Sequence, residues 1–133
     1  MAVQLSVAAR NARLDAIETT IGTTPTLEIR SGSAPANCAA SDTGDLLATI
    51  TLPSDWMAAA SSGSKAIAGG PWQDTSADDS GTAAHFRIKA SGGTVHMQGT
   101  VGQGTGDLQL DNTTIVTGQT VSITAFTLTD ANS

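Results

Sequence analysis

The period of the apolar residues changes once along this chain, and the change divides what the chain can fold into. From Val3 to Ile21 the residues Val3, Val7, Arg10, Leu14, Ile17 and Ile21 recur at alternating steps of four and three, which places them on one helical face. Ser6 stands where an N-cap is needed, Gly22 where a left-handed residue stops a helix, and Pro25 prevents resumption. Past Pro25 the period is two, with Leu27 and Ile29 alternating with Thr26, Glu28 and Arg30. The chain therefore divides into an N-terminal helical arm, residues 1–24, and a β domain, residues 25–133. A helix this short is marginal alone in water, so its stripe has to dock on its own sheet or on another subunit. The six stripe residues are the candidate protein interface. Arg10, Arg13, Asp15 and Glu18 read as a solvated charged flank, with the competing reading that Arg10, inside the stripe, pairs with a carboxylate of a neighbouring subunit.

The β domain is read from alternation and turn residues. Ser31 to Gly44, rich in Ser, Ala, Pro, Asn and Gly, reads as a long loop over one end of the sheet. Leu46, Ala48, Ile50 and Leu52 form the buried parity of a strand ended by Pro53. Ser54 and Asp55 are placed to cap a short helical turn carrying Trp56 and Met57. Lys65 to Ala68 and Trp72 to Thr75 are weaker strand candidates. The sharpest local expectation is a hairpin from Ala83 to Val101 in which partner numbers sum to 185 around a Gly92-Gly93 turn. That register puts Phe86, Ile88, Met97 and Val101 on one face and His85, Arg87, Lys89, His96 and Gln98 on the outward one; a one-residue slip would mix the two sets. Short strands follow at Leu108 to Leu110 and Thr114 to Val116. In the last strand the parity changes from Val121 and Ile123 to Phe126 and Leu128, which calls for a bulge or a change of sheet near Ala125. Seven or eight strands at this spacing predict a mainly β fold: an antiparallel β-sandwich, jelly-roll-like, behind one N-terminal α-helix.

Composition narrows the function classes. Of 133 residues, 21 are Ala and 23 are Val, Ile or Leu, with two Phe, two Trp and no Tyr, a thin aliphatic set that argues against a deep aromatic-lined pocket. Twelve acidic against six basic residues give a net charge of −6, which repels phosphate backbones and anionic membranes. Polarity comes instead from 20 Thr and 13 Ser, a surface that another protein covers without desolvating many ions. The single cysteine, Cys38, excludes an internal disulfide and multi-Cys zinc sites and reads as a small buried residue. No stretch approaches the roughly 20 apolar residues of a membrane span, and a secretory leader is not evident.

No catalytic or cofactor-binding set emerges. His85 and His96 are out of register on the hairpin, too far apart to share a metal. Asp74, Asp78 and Asp79 supply oxygens in a Thr, Ser and Gly loop, but their spacing is not that of an EF-hand, and a solvated acidic turn is the simpler reading. Gly102, Gly104 and Gly106 precede a strand rather than the helix that a phosphate loop requires, so a structural loop is expected. Trp56 and Trp72 read as packing anchors, with a carbohydrate-stacking platform as the competing role. With no convergent acid, base, nucleophile or metal set, an enzyme is not expected.

Five segments carry a resemblance: Ala9-Arg10-Asn11-Ala12-Arg13-Leu14-Asp15-Ala16-Ile17-Glu18, Ser31 to Ala40, Leu52-Pro53-Ser54-Asp55-Trp56-Met57, Ala84-His85-Phe86-Arg87-Ile88 and Thr124 to Thr129. They resemble those of small virion structural proteins of tailed bacteriophages. The resemblance implies a non-enzymatic particle component present in many copies and transfers no functional residues. An acidic, Thr-rich β domain with a helical arm suits the capsid exterior better than a DNA-facing lining. The expectation is a head decoration or cement protein bound across junctions of the major capsid protein, self-associating, and making no use of nucleic acid, membrane or cofactor. A tail, neck or fibre adaptor is the alternative, and a carbohydrate-binding module a third reading.

Overall fold

The computed structural model describes residues 3–130. One helix, α1 (Val7–Ile21), precedes ten strands: β1 (Thr26–Arg30), β2 (Leu46–Thr51), β3 (Ser64–Ala66), β4 (Gln73–Asp74), β5 (Gly81–Thr82), β6 (His85–Lys89), β7 (Val95–Gly102), β8 (Leu108–Leu110), β9 (Thr114–Ile115) and β10 (Val121–Thr129). Ser6 Oγ accepts the Ala9 N–H at 3.1 Å and so fixes where the helix begins. Val3, which the stripe had placed on the helix, lies ahead of this cap and is not helical. Gly22, at φ +90°, closes the other end with its N–H on the Glu18 carbonyl.

Eight strands join in one sheet in the order β2-β1-β6-β7-β8-β10-β3, with β4 also pairing β10; β5 and β9 form a separate two-stranded ribbon. The fold is mainly β with one helix, and the large sheet curls into a half-barrel around the core. An all-antiparallel sheet was expected, but β7 and β8 run parallel over Val101–Leu108 and Gly102–Gln109. The connection is short because residues 102–107 double back tightly. A Cβ on Gly102 would lie 2.5 Å from the Thr105 carbonyl oxygen, so backbone meets backbone there. The Asp107 carboxylate accepts from both the Thr100 N–H and its hydroxyl, fastening the loop. The glycine-rich segment thus forms a tight loop that brings the chain back alongside β7 in the same direction.

The hairpin register holds over most of its length: Phe86 faces Gly99 and Ile88 faces Met97. Near the tip Lys89 faces Val95, a shift of one. The Gly93 N–H bonds the Ala90 carbonyl and Ala90 N–H bonds Thr94, so the turn has three residues, Ser91 to Gly93, rather than two. Gly93, at φ +96°, takes the left-handed position that such a loop needs. The expected irregularity in the last strand is present, with the β10–β8 register shifting between Ile123 and Ala125. The expected helical turn at Ser54 to Met57 is absent; Met57 instead bridges Ile67, because the chain is drawn in by burial of both Trp56 and Met57.

All four aromatic residues meet in one line through the core. Trp56 lies 5.9 Å from Trp72, Trp72 5.9 Å from Phe126, and Phe126 packs edge-on against Phe86 at 5.5 Å. This line joins β6 to β10 across the curl and anchors the aliphatic residues Leu27, Ile29, Ile50, Leu52, Leu108 and Val121 around it.

Candidate functional site

The candidate interface begins with the helix, and the structure divides it in two. At about 100° per residue, Leu14 and Ile21 mark the centre of one face, with Ile17 to one side and Asn11, Asp15 and Glu18 to the other. Leu14 and Ile21 are buried in the chain's own fold and Ile17 packs against the core. The polar side of the face is equally engaged. Asp15 Oδ1 accepts from Lys65 Nζ at 2.6 Å and from the Ala60 N–H at 3.0 Å, Glu18 Oε1 lies 2.8 Å from Lys65 Nζ, and Asn11 Oδ1 accepts the Gly63 N–H. Lys65 is buried, and its third proton goes to the Ala58 carbonyl. Burial alone would lower the Lys65 pKa, but Asp15 and Glu18 outweigh it and raise it. Lys65 in turn holds the Asp15 carboxyl below its ordinary value. Asp15 and Glu18 are therefore a clamp and not the solvated flank expected, because Lys65 and the free N–H groups of the 57–63 segment need acceptors.

Arg10 also turns inward rather than toward a neighbour. Its Nη1 donates to the Asp130 carbonyl at 3.4 Å, Nε is buried without a hydrogen bond, and the guanidinium lies against Gly63, where a side chain would collide with it. Arg13 pairs with Asp130 at 3.1 Å. What the domain leaves uncovered is the start of the stripe: Val3 is 80% exposed and Val7 49%. Val7 lies on the same helical face as Leu14 and Ile21, two turns ahead of Leu14, where the described residues cover only half of it.

A second polar assembly lies on the outward face of β1, β6 and β7. His85 and Arg87, expected at the surface, are each 1% exposed. The loop of residues 31–45 lies across this face rather than over the end of the sheet. Its carbonyls do the binding: Gly32 to His85 Nδ1, Pro35 to Gln98 Nε2, Asn37 and Cys38 to Arg87 Nη2. Asp42 joins Arg87, Lys89 and Arg30, while Glu28 joins Arg30 and Lys89. Hydrogen bonding from Lys89, then from Arg87, draws the Asp42 pKa down to about 2. Cys38 is half-buried in this loop rather than enclosed in the core. All six basic side chains are thus tied to oxygens of their own chain, which accounts for Lys65 and Asp42, the two residues of consequence that pattern reading missed. Their signal was scarcity: a buried base in a chain with six must have its acceptors nearby.

The remaining candidates have structural partners. Asp74 accepts from the Thr49 and Ser76 N–H groups, Asp78 from the Thr49 hydroxyl and Asp79 from the Ser80 N–H, which ties the acidic loop to β2. Among the described residues no group of three or more His, Cys, Asp or Glu side chains is arranged to hold a metal ion. Trp56 and Trp72 are buried, with their indole N–H groups on the Gly22 and Ala68 carbonyls, so neither offers a face to a sugar ring. His96 is exposed beside the helix, where it lines a groove of about 230 Å³ with Arg13, Ile17 and Thr20.

Comparison of the chain with known protein families, with curated proteins and with solved structures found no match. The functional reading therefore rests on the residues and their geometry, together with the resemblance drawn from the five segments.

Proposed function

We propose that this chain is a structural subunit of a tailed-bacteriophage particle, a head decoration or cement protein that binds at junctions of the major capsid protein on the capsid exterior. The observation that carries this reading is the uncovered start of the stripe. Val3, ahead of α1, and Val7, in its first turn, remain exposed, while Leu14, Ile17 and Ile21 of the helix are docked and its polar side is clamped by Lys65. An apolar segment carried at the edge of a finished domain is an adhesive element, and the surrounding Thr-rich, sparsely charged surface is inexpensive to desolvate. In the same proposal the limbs of the curled sheet, facing each other across the aromatic line, act as the two layers of a jelly-roll-like sandwich. Clamping an assembled shell stabilises it by linkage, because the clamp binds the shell and not the free subunits. Particles lacking this chain should lose resistance to heat and osmotic shock. Equal resistance of complete and depleted particles overturns the cementing role, and a few copies confined to one vertex or the tail would replace it by an adaptor role.

A further inference from the structure

We propose that residues Val3–Ser6 of a second copy of this chain, the segment ahead of α1, add as a short strand in the slot between β7 and β10. The proposal rests on the adhesive arm argued above and makes a neighbouring copy of this chain the arm's partner at those junctions.

The slot exists because β8 is only three residues long. At Leu108 it is paired on one side with Val101 of β7 and on the other with Phe126 of β10. Beyond that point β7 continues back to Val95 and β10 onward to Thr129, and among the described residues no strand lies between them. At Leu108 the two strands are separated by two strand spacings, about 9–10 Å, which is the room one further strand occupies. A cavity of about 420 Å³ lies there, with Phe86, Met97, Phe126 and Leu128 as its apolar lining and Gln98 and Thr127 on its walls.

The backbone direction on both walls follows from the ladders. The Val101 N–H donates to the Ala84 carbonyl, so Val101, Gly99 and Met97 point at β6, and Thr100 and Gln98 point into the slot. The Asp130 N–H donates to the Gly63 carbonyl, so Leu128 points at β3, and Thr127 and Thr129 point into the slot. Asp107 accepts the Thr100 N–H at 2.9 Å and closes the inner end. Gln98, Thr127 and Thr129 thus present the edges to which a strand adds.

The occupant is argued from the arm. Val3-Gln4-Leu5-Ser6-Val7 alternates apolar and polar, a period that lays Val3 and Leu5 on an apolar floor and leaves Gln4 and Ser6 outward. Among the described residues the exposed large hydrophobics are Val3, Val7 and Val116, so two of the three flank Leu5. In the chain itself Val3 lies in the open and the slot is unfilled by it, so pairing requires another molecule. Exchange between two copies closes a dimer, and one-way donation builds a chain or ring.

Sedimentation of the full chain over a range of concentrations tests this. The chain is expected to self-associate. Leu5→Asp puts a charge on the apolar floor and should weaken association on the order of 100-fold or more. Thr127→Pro removes an N–H that faces the slot without removing a β10–β3 bond, and should do the same. Mixing the two variants should restore a pair, because one retains a sound slot and the other a sound arm. A chain that stays monomeric at all concentrations, Leu5→Asp that assembles like the parent, or two folded variants that fail to complement each other overturns the proposal. If Thr127→Pro does not fold, Leu5→Asp, which lies outside the core, decides alone. Detecting the chain in purified particles is a separate readout: a monomeric chain found in particles ends the strand pairing and spares the virion reading, and the converse result does the opposite.

Discussion

The two faces of β6 are buried to the same degree by opposite means. Phe86 and Ile88 face inward, 1% and 0% exposed, among apolar neighbours; His85 and Arg87 face the other way, each 1% exposed, beneath a loop whose carbonyls and Asp42 accept their hydrogen bonds. The inner face excludes water because nothing there needs it, and its stabilisation scales with apolar area. The outer face is closed only insofar as each polar group has found a partner, since an orphaned one costs more than a made bond contributes. The comparison teaches that alternation along a strand reports the chemistry of its two faces and not which of them is covered.

The largest effect should come from the inner face. Phe86→Ala removes the edge-on contact with Phe126 and opens a cavity at the end of the aromatic line, at a cost of roughly 3–5 kcal/mol. In a domain of this size that lowers Tm by roughly 10 °C or more, and denaturant unfolding should report it as one cooperative loss. If the loss is small, the aromatic line is not the keel of the core. Gly99 belongs to the same arrangement: a Cβ there would stand 2.8 Å from Phe86 Cε1, so the glycine is what lets the ring lie across β7.

Arg87→Met tests the outer face. It takes one donor from the Cys38 and Asn37 carbonyls and from Asp42, but the Asn37 carbonyl keeps the Ala40 N–H, and Asp42 keeps Lys89, Arg30 and 31% of its side-chain surface exposed. The expected loss is therefore roughly 1–3 kcal/mol, below that of a fully buried broken pair. It should also be local. Amide exchange should accelerate across residues 37–42 while the amides of β6 and β10 stay protected. Uniform loss of protection would show that the two faces form one cooperative unit, and the comparison would then fail.

Acid should loosen the outer face first. A carboxylate with a depressed folded pKa contributes stability above its unfolded value, and that contribution is lost as pH falls through the folded value. For Asp42 the window runs from the ordinary 3.8 down to about 2. Between those values the loop amides should lose protection, the carboxyl carbon of Asp42 should titrate with a midpoint near 2, and Asp42→Asn should abolish that acid-dependent step. A midpoint close to the ordinary value would mean that Lys89 and Arg87 do not hold the carboxylate.

These contrasts also explain what could be read from the residues. Register was legible between Phe86 and Gly99 because all the large apolar side chains of the hairpin share one parity. The tip was misread by one residue because Gly92-Gly93 fits a two-residue turn as well as it fits the end of a three-residue one. The helix ends were legible in Ser6, Gly22 and Pro25, which act through the local backbone. Its docking was not, since Asn11, Asp15 and Glu18 are bound by a segment 39 to 52 residues away that carries no period. The burial of Arg87 was hidden for the same reason: residues 31–45 are irregular and polar, and their carbonyls, which supply most of the contacts, are common to every residue type. The exposed end of the stripe at Val3 and Val7 was visible as an apolar pattern, but whether the domain covered it depended on where the sheet stops.

The smallest effect sharpens the comparison most finely. Gln98 lies beside Arg87 on the outer face, and its Nε2 donates to the Pro35 carbonyl at 2.8 Å while its Oε1 is buried without a partner. Gln98→Ala deletes one neutral hydrogen bond and one unsatisfied acceptor together, so the two changes oppose each other and the net loss should be about 1 kcal/mol or less. Exchange at Pro35's neighbours Ala34 and Ala36 should quicken while residues 37–42, still held by Arg87, remain as protected as before. If opening instead spreads to residue 42, the loop is fastened as a unit and not carbonyl by carbonyl, and the outer face shares more of the inner face's cooperativity than its chemistry suggests.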